Sequence, residues 1–146
     1  MTADQIFSIS NPVAMVGWLI LIFAGRKKWA ASLVTGVVIP LLFAILYTTL
    51  ILGHWGERTG GFGSLSEVMA LFTNQWLVLA GWVHYLAFDL FVGSWEVRDA
   101  VAYKIPHIAV VPCLVLTFLF GPIGFLLYVA IRYAMRRSIS TESPNS

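Results

Sequence analysis

Charge is the scarcest property of this chain. Its 146 residues include 9 Lys and Arg and 7 Asp and Glu, so 11% are charged, where a soluble domain carries roughly a quarter. That deficit leaves too little polar cover for a water-facing surface. It excludes an ordinary cytosolic enzyme, a disordered regulator and a nucleic-acid binder with a basic patch. Cysteine is almost missing: Cys113 alone permits no internal disulfide and no thiolate cluster. No internal repeat or low-complexity tract precedes the polar end, 138–146, which reads as a disordered tail. What fills the chain is apolar. Hydrophobic residues make up 59%, with 10 Phe and 6 Trp, and the mean hydropathy is +0.84. The net charge of +2 comes from basic residues beside apolar runs, where they act as topology signals and lipid-headgroup contacts. The chain reads as a small integral membrane protein with one domain, 1–137.

Crossing about 30 Å of hydrocarbon takes roughly 20 helical residues. Four runs are expected to do so: 6–24, 29–52, 75–95 and 107–131. The first stops at Arg26, Lys27 and Lys28, the last at Arg132, Arg136 and Arg137. Uniform apolarity without a period of two means helices and not barrel strands. The basic residues follow the first run, whereas a secretory signal places them first, so it is not a cleavable leader. Asn11-Pro12 allows two readings: a helix kinked at Pro12, or residues 3–10 along the interface with a short span starting at Pro12. Pro40 is expected to kink the second run. After a glycine-rich loop, Ser64 and Glu67 have capping-box spacing, and Leu65, Val68, Met69 and Phe72 share one helical face. They predict a short amphipathic interfacial helix, followed by Thr73-Asn74 as a stop and a cap. The expected fold is all-α, an integral membrane four-helix bundle with that interfacial helix before the third span. Four spans put both termini on one side, and the basic-residue balance around the first span favours the outside.

Asp89 is the most informative residue. An ionisable side chain at span depth costs at least about 2.5 kcal/mol on insertion scales and usually faces the bundle interior. At about 100° per residue, Trp82, Tyr85, Asp89 and Glu96 form one stripe. The bland alternative is that Asp89 only accepts hydrogen bonds that fix packing. His84 lies about 140° round the helix from Asp89, yet the two can line opposite sides of one pocket. His107 opens the fourth span at interfacial depth, and His54 reads as a surface residue. Glu96, Arg98, Asp99 and Lys104 read as a mixed-charge loop with local ion pairs. In the fourth span, Pro122 frees the carbonyl of Phe118. Thr117, Gly121 and Gly124 lie beside it, admitting either a flat polyene or a neighbouring helix. The short connection between spans three and four makes them antiparallel neighbours. His84 and Asp89 are therefore expected to face a polar pocket walled by residues 112–122, with His107 at its rim. No histidine–carboxylate pair has metal-site spacing, so no metal or haem cofactor is assigned.

These residues also carry a resemblance. The stretch 62–68, Phe-Gly-Ser-Leu-Ser-Glu-Val, and the stretch 81–93 with Trp82, His84 and Asp89 resemble the abscisic-acid-deficient-four-like membrane protein family. Asn11, Gly17-Trp18-Leu19, His107 and Gly121-Pro122-Ile123-Gly124 fit the same pattern. The resemblance implies four spans and, from the plant members, a role in making neoxanthin from violaxanthin. Early entry into the membrane points to a bacterial inner-membrane member. It implies a membrane-embedded, isomerase-like protein that modifies a carotenoid or another isoprenoid by epoxide opening without net redox. Asp89 and His84 would be its acid and base, in either order. Trp82, Tyr85, His107, Thr117 and Gly121 would hold the substrate. The partners expected are the bilayer and an isoprenoid ligand, with no nucleic acid. The alternative is a non-catalytic membrane subunit that binds a pigment or a partner helix. A proton-coupled transporter built on Asp89 fits less well, because inverted repeats are absent from the sequence.

Overall fold

The computed structural model describes residues 1–136; the tail read at 138–146 lies outside them. Helix α1, Ala3–Ala24, opens on a capping box in which the Thr2 hydroxyl accepts from Gln5 N–H and the Gln5 side chain accepts from Thr2 N–H. It continues through Pro12 as one helix. The reading that laid residues 3–10 along the interface is therefore corrected, because the Thr2 cap starts the helix well before the proline.

The second apolar run begins as a π-helix, Ala30–Val38, and passes into α2, Ile39–His54, with Pro40 in the first turn of α2. Pro40 has no N–H to offer Gly36, and here the chain changes helix type. Earlier in the π-helix, side chains add to the backbone pattern: Thr35 Oγ1 donates to Ala30 O at 3.0 Å and Arg98 Nη1 to Ala31 O at 2.8 Å. A 3₁₀ turn, Trp55–Glu57, leads into the glycine loop. Helix α3, Leu65–Leu71, is capped by Ser64 Oγ, which accepts from Glu67 N–H at 3.2 Å. The Glu67 carboxylate accepts from Gly63 N–H at 3.0 Å. Leu65, Met69 and Phe72 stay exposed, while Leu71 is buried against the bundle.

Helix α4, Gln75–Ala102, is capped by Asn74 Oδ1, which accepts from Trp76 N–H at 2.9 Å. It is the central element. Helix α1 runs parallel to it, with Phe7 on Trp82 at one end and Gly25 against Val97 at the other. Helix α2 runs antiparallel, with Thr35 beside Ser94 and His54 stacked on Trp76. These three runs are long and apolar enough to cross a membrane. Their shared core includes Trp18, Leu21, Val83 and Leu90. Glu96 and Asp99, read above as loop residues, are buried inside α4. That reading is corrected: both find hydrogen-bond donors on the elements that follow, and the helix continues through them.

The expected fourth span is also corrected. It is two helices, α5 at His107–Phe120 and α6 at Pro122–Arg136, separated by Gly121 at φ +51°, ψ −94°. With 14 residues, α5 is about 21 Å long, short of the roughly 30 Å hydrocarbon layer. The chain folds back at Gly121. A Cβ built on Gly124 would lie 2.5 Å from Cys113 O, and Arg132 returns to Asp99 near the end of α4 where α5 began. The N-terminus lies at the other end of α4, where Ala3 and Phe7 meet Gln75. The described chain therefore starts and finishes at opposite ends of the bundle, against the expected arrangement.

Candidate functional site

Tyr85, Asp89, Glu96 and Asp99 fall within an arc of about 80° on α4, and this polar face looks onto the α5–α6 hairpin. Each member meets a different level of it. Tyr85 OH donates to Phe118 O at 2.7 Å, the carbonyl that Pro122 leaves without its helical N–H. Asp89 sits under the break: a Cβ on Gly121 would lie 3.0 Å from Asp89 Oδ1. Gly121 is thus required twice, for its positive φ and for its missing side chain. Asp89 Oδ2 is buried with no hydrogen-bond partner among the described residues. Glu96 is 0% exposed. Its Oε1 accepts from Thr117 Oγ1 at 3.0 Å, while its Oε2 is buried without a partner among the described residues. Both Asp99 oxygens are partnered: Oδ2 accepts from Tyr128 OH at 2.5 Å, and Arg132 Nη1 lies 2.8 Å from each oxygen.

Next to this face lies a notch of about 260 Å³ bounded by Asn11, Ala14, Trp82, Tyr85, Phe118 and Leu119. Trp82 Nε1 donates to Asn11 Oδ1 at 2.8 Å, which fixes the indole as one wall. Tyr85, one helical turn before Asp89, borders the notch. The arrangement places a carboxyl, a phenol and an indole at the hairpin tip, beside an apolar space open to α1.

His84 does not join them. Its ring stacks on Phe88 at 4.5 Å and stands 5.6 Å from Tyr47, lining a separate trough of about 580 Å³ between α2 and α4. The expected common pocket for His84 and Asp89 is corrected: the hairpin covers only the Asp89 face, and α2 takes the other. His107 also lies elsewhere. Its Nε2 is 2.9 Å from Ile22 O, so it ties α5 to the end of α1 rather than forming the rim of the notch. Thr117 is occupied by Glu96, and His54 stacks on Trp76 near the 3₁₀ turn. Among the described residues, no three His, Cys, Asp or Glu side chains are grouped to hold a metal ion.

The buried cluster of Asp99, Tyr128 and Arg132 was missed in the sequence. One signal was available: Tyr128 and Arg132 are i, i+4 on a helix, and Asp99 shares its face with Asp89 and Glu96. A family model described as ABA DEFICIENT 4-like matches residues 5–128. Among curated proteins and among solved structures, none matches.

Proposed function

Because the chain belongs to the ABA DEFICIENT 4-like family, we propose that this membrane protein modifies a carotenoid or related isoprenoid, isomerising an epoxide without net redox. One observation carries the reading: Asp89 is held at the hairpin tip with a buried, unpartnered oxygen, beside a notch walled by Trp82 and Tyr85. An oxygenated end group entering from the bilayer meets an apolar space whose Tyr85 wall lies one helical turn from Asp89. It has no water to cross.

The chemistry implied by the plant relatives opens an epoxide and removes a proton from the adjacent polyene carbon, giving a hydroxyl and an allene. A single carboxyl can perform both steps in turn. Asp89 gives its proton to the epoxide oxygen as the carbon–oxygen bond breaks, and the resulting carboxylate takes the carbon-bound proton. Substrate and product are isomers, and Asp89 ends as it began. Tyr85 and Trp82 position the ring. His84, on the far face of α4, has no step in this scheme, and Gly121 acts by leaving room for the carboxyl.

The test is incubation of the purified protein in lipid with an epoxidised xanthophyll, followed by chromatography of the organic extract. The reading expects a product of unchanged mass with wild-type protein and none with Asp89→Asn. A stoichiometric pigment recovered without conversion would instead support the non-catalytic subunit.

A further inference from the structure

On the face of α4 away from Asp89, the trough between the π-helix, α2 and α4 is apolar along its length. Gly36, Leu41, Ala44, Phe88 and Phe91 line it, with His84 at its inner end. Val37, Leu41, Phe88 and Phe91 are exposed, so it opens sideways to lipid. At its Gly36 end stands Arg98. A Cβ on Gly36 would lie 2.5 Å from Arg98 Nη1, and the guanidinium carbon is 5.9 Å from the Phe91 ring centre. The missing side chain at Gly36 lets the cation lean over the mouth of the trough.

Arg98 has no protein counterion among the described residues. The neighbouring acids of α4 point to the hairpin, Glu96 to Thr117 and Asp99 to Arg132. A guanidinium carries five N–H donors in a fork that suits phosphate. Arg98 donates to Ala31 O, and no other hydrogen bond from it is made to a described residue. The same end of the bundle carries the exposed Arg26, Lys27 and Lys28, next to Gly25, which packs on Val97. From Arg98 to His84, at the inner end, the helix rises about 21 Å, about two thirds of the roughly 30 Å hydrocarbon layer. With Arg98 at headgroup level, the trough is long enough to take one leaflet's acyl chain along its length.

We propose that this trough seats one acyl chain of an anionic phospholipid whose phosphate pairs with Arg98. Charge complementarity selects this occupant: a neutral polyene leaves the guanidinium without a partner, while an anionic headgroup supplies one. The site shares no residue with the Asp89 notch, so it stands or falls independently of the isomerase reading.

The experiment is reconstitution into vesicles of equimolar phosphatidylglycerol and phosphatidylcholine, then native mass spectrometry of the released protein. Wild-type protein is expected to retain one phosphatidylglycerol per chain in preference to phosphatidylcholine by about fivefold, the effect of one cation at headgroup level. Arg98→Gln keeps a donor for Ala31 O but removes the preference. Ala44→Trp, which leaves Arg98 in place and fills the trough, removes the bound lipid of either kind. Equal retention of the two lipids by wild-type protein, a preference that survives in Arg98→Gln, lipid still bound to Ala44→Trp, or a neutral isoprenoid in place of phospholipid would overturn the proposal.

Discussion

Arg132 Nη1 stands 2.8 Å from both carboxylate oxygens of Asp99, and both side chains are buried. The pair joins residues 33 positions apart in sequence and holds the returning helix α6 against α4. Tyr128 adds a third hydrogen bond to the same carboxylate, and the Arg132 guanidinium lies 4.9 Å from the Tyr103 ring centre. The hairpin that closes over Asp89 and Glu96 is therefore anchored at its open end by charge and at its tip by Gly121.

Removing one partner of a buried ion pair leaves the other charge uncompensated, at a cost of about 3–5 kcal/mol. Arg132→Met should lower the thermal unfolding midpoint in detergent by that equivalent. The double variant with Asp99→Leu should recover much of the loss, because an apolar pair of similar volume strands no charge. A single variant as stable as wild type would mean that the pair does not hold the hairpin.

Gly121→Ala should destabilise the protein by about 1–3 kcal/mol through backbone strain, since a Cβ there also crowds Asp89. Gly53→Ala is the control, with nothing within 4 Å of its added Cβ and a helical site that favours alanine by roughly 0.5–1 kcal/mol. Parallel thermal melts check the contrast, and equal effects would count against the positive-φ break.

The fold-back also sets topology. With Cys113 replaced by alanine, single cysteines introduced at Thr2 and Ala134 should be labelled from opposite faces of sealed vesicles by an impermeant maleimide. Labelling of both from one face would restore four complete spans and exclude the hairpin.

Much of this architecture was legible from local rules. Asn74, Ser64 and the uncharged runs marked α3, α4 and the first two spans, and helical periodicity put Trp82, Tyr85, Asp89 and Glu96 on one stripe. The hairpin was not legible, because hydropathy records how long an apolar run is and not whether it turns. The stretch 107–131 is equally apolar on either side of Gly121. Glu96 and Asp99 were read as loop residues because charges at the end of an apolar run normally face water. What buries them is Thr117, Tyr128 and Arg132, donors that lie 21 to 33 residues further on. The separation of His84 from Asp89 was present in the helical angle of about 140°, and only the position of α2 shows that this angle divides two cavities.

The proposed reaction puts proton transfer at Asp89, on the hairpin side of α4. It is decided by the initial rate of xanthophyll epoxide isomerisation by wild-type protein, Asp89→Asn and His84→Ala, each reconstituted at matched helicity. Asp89→Asn is expected to lose about 10²–10⁴-fold, the usual contribution of a general acid–base group, and His84→Ala to keep a rate close to wild type. An Asp89→Asn variant that turns over at the wild-type rate, or a His84→Ala variant as inactive as Asp89→Asn, would contradict it.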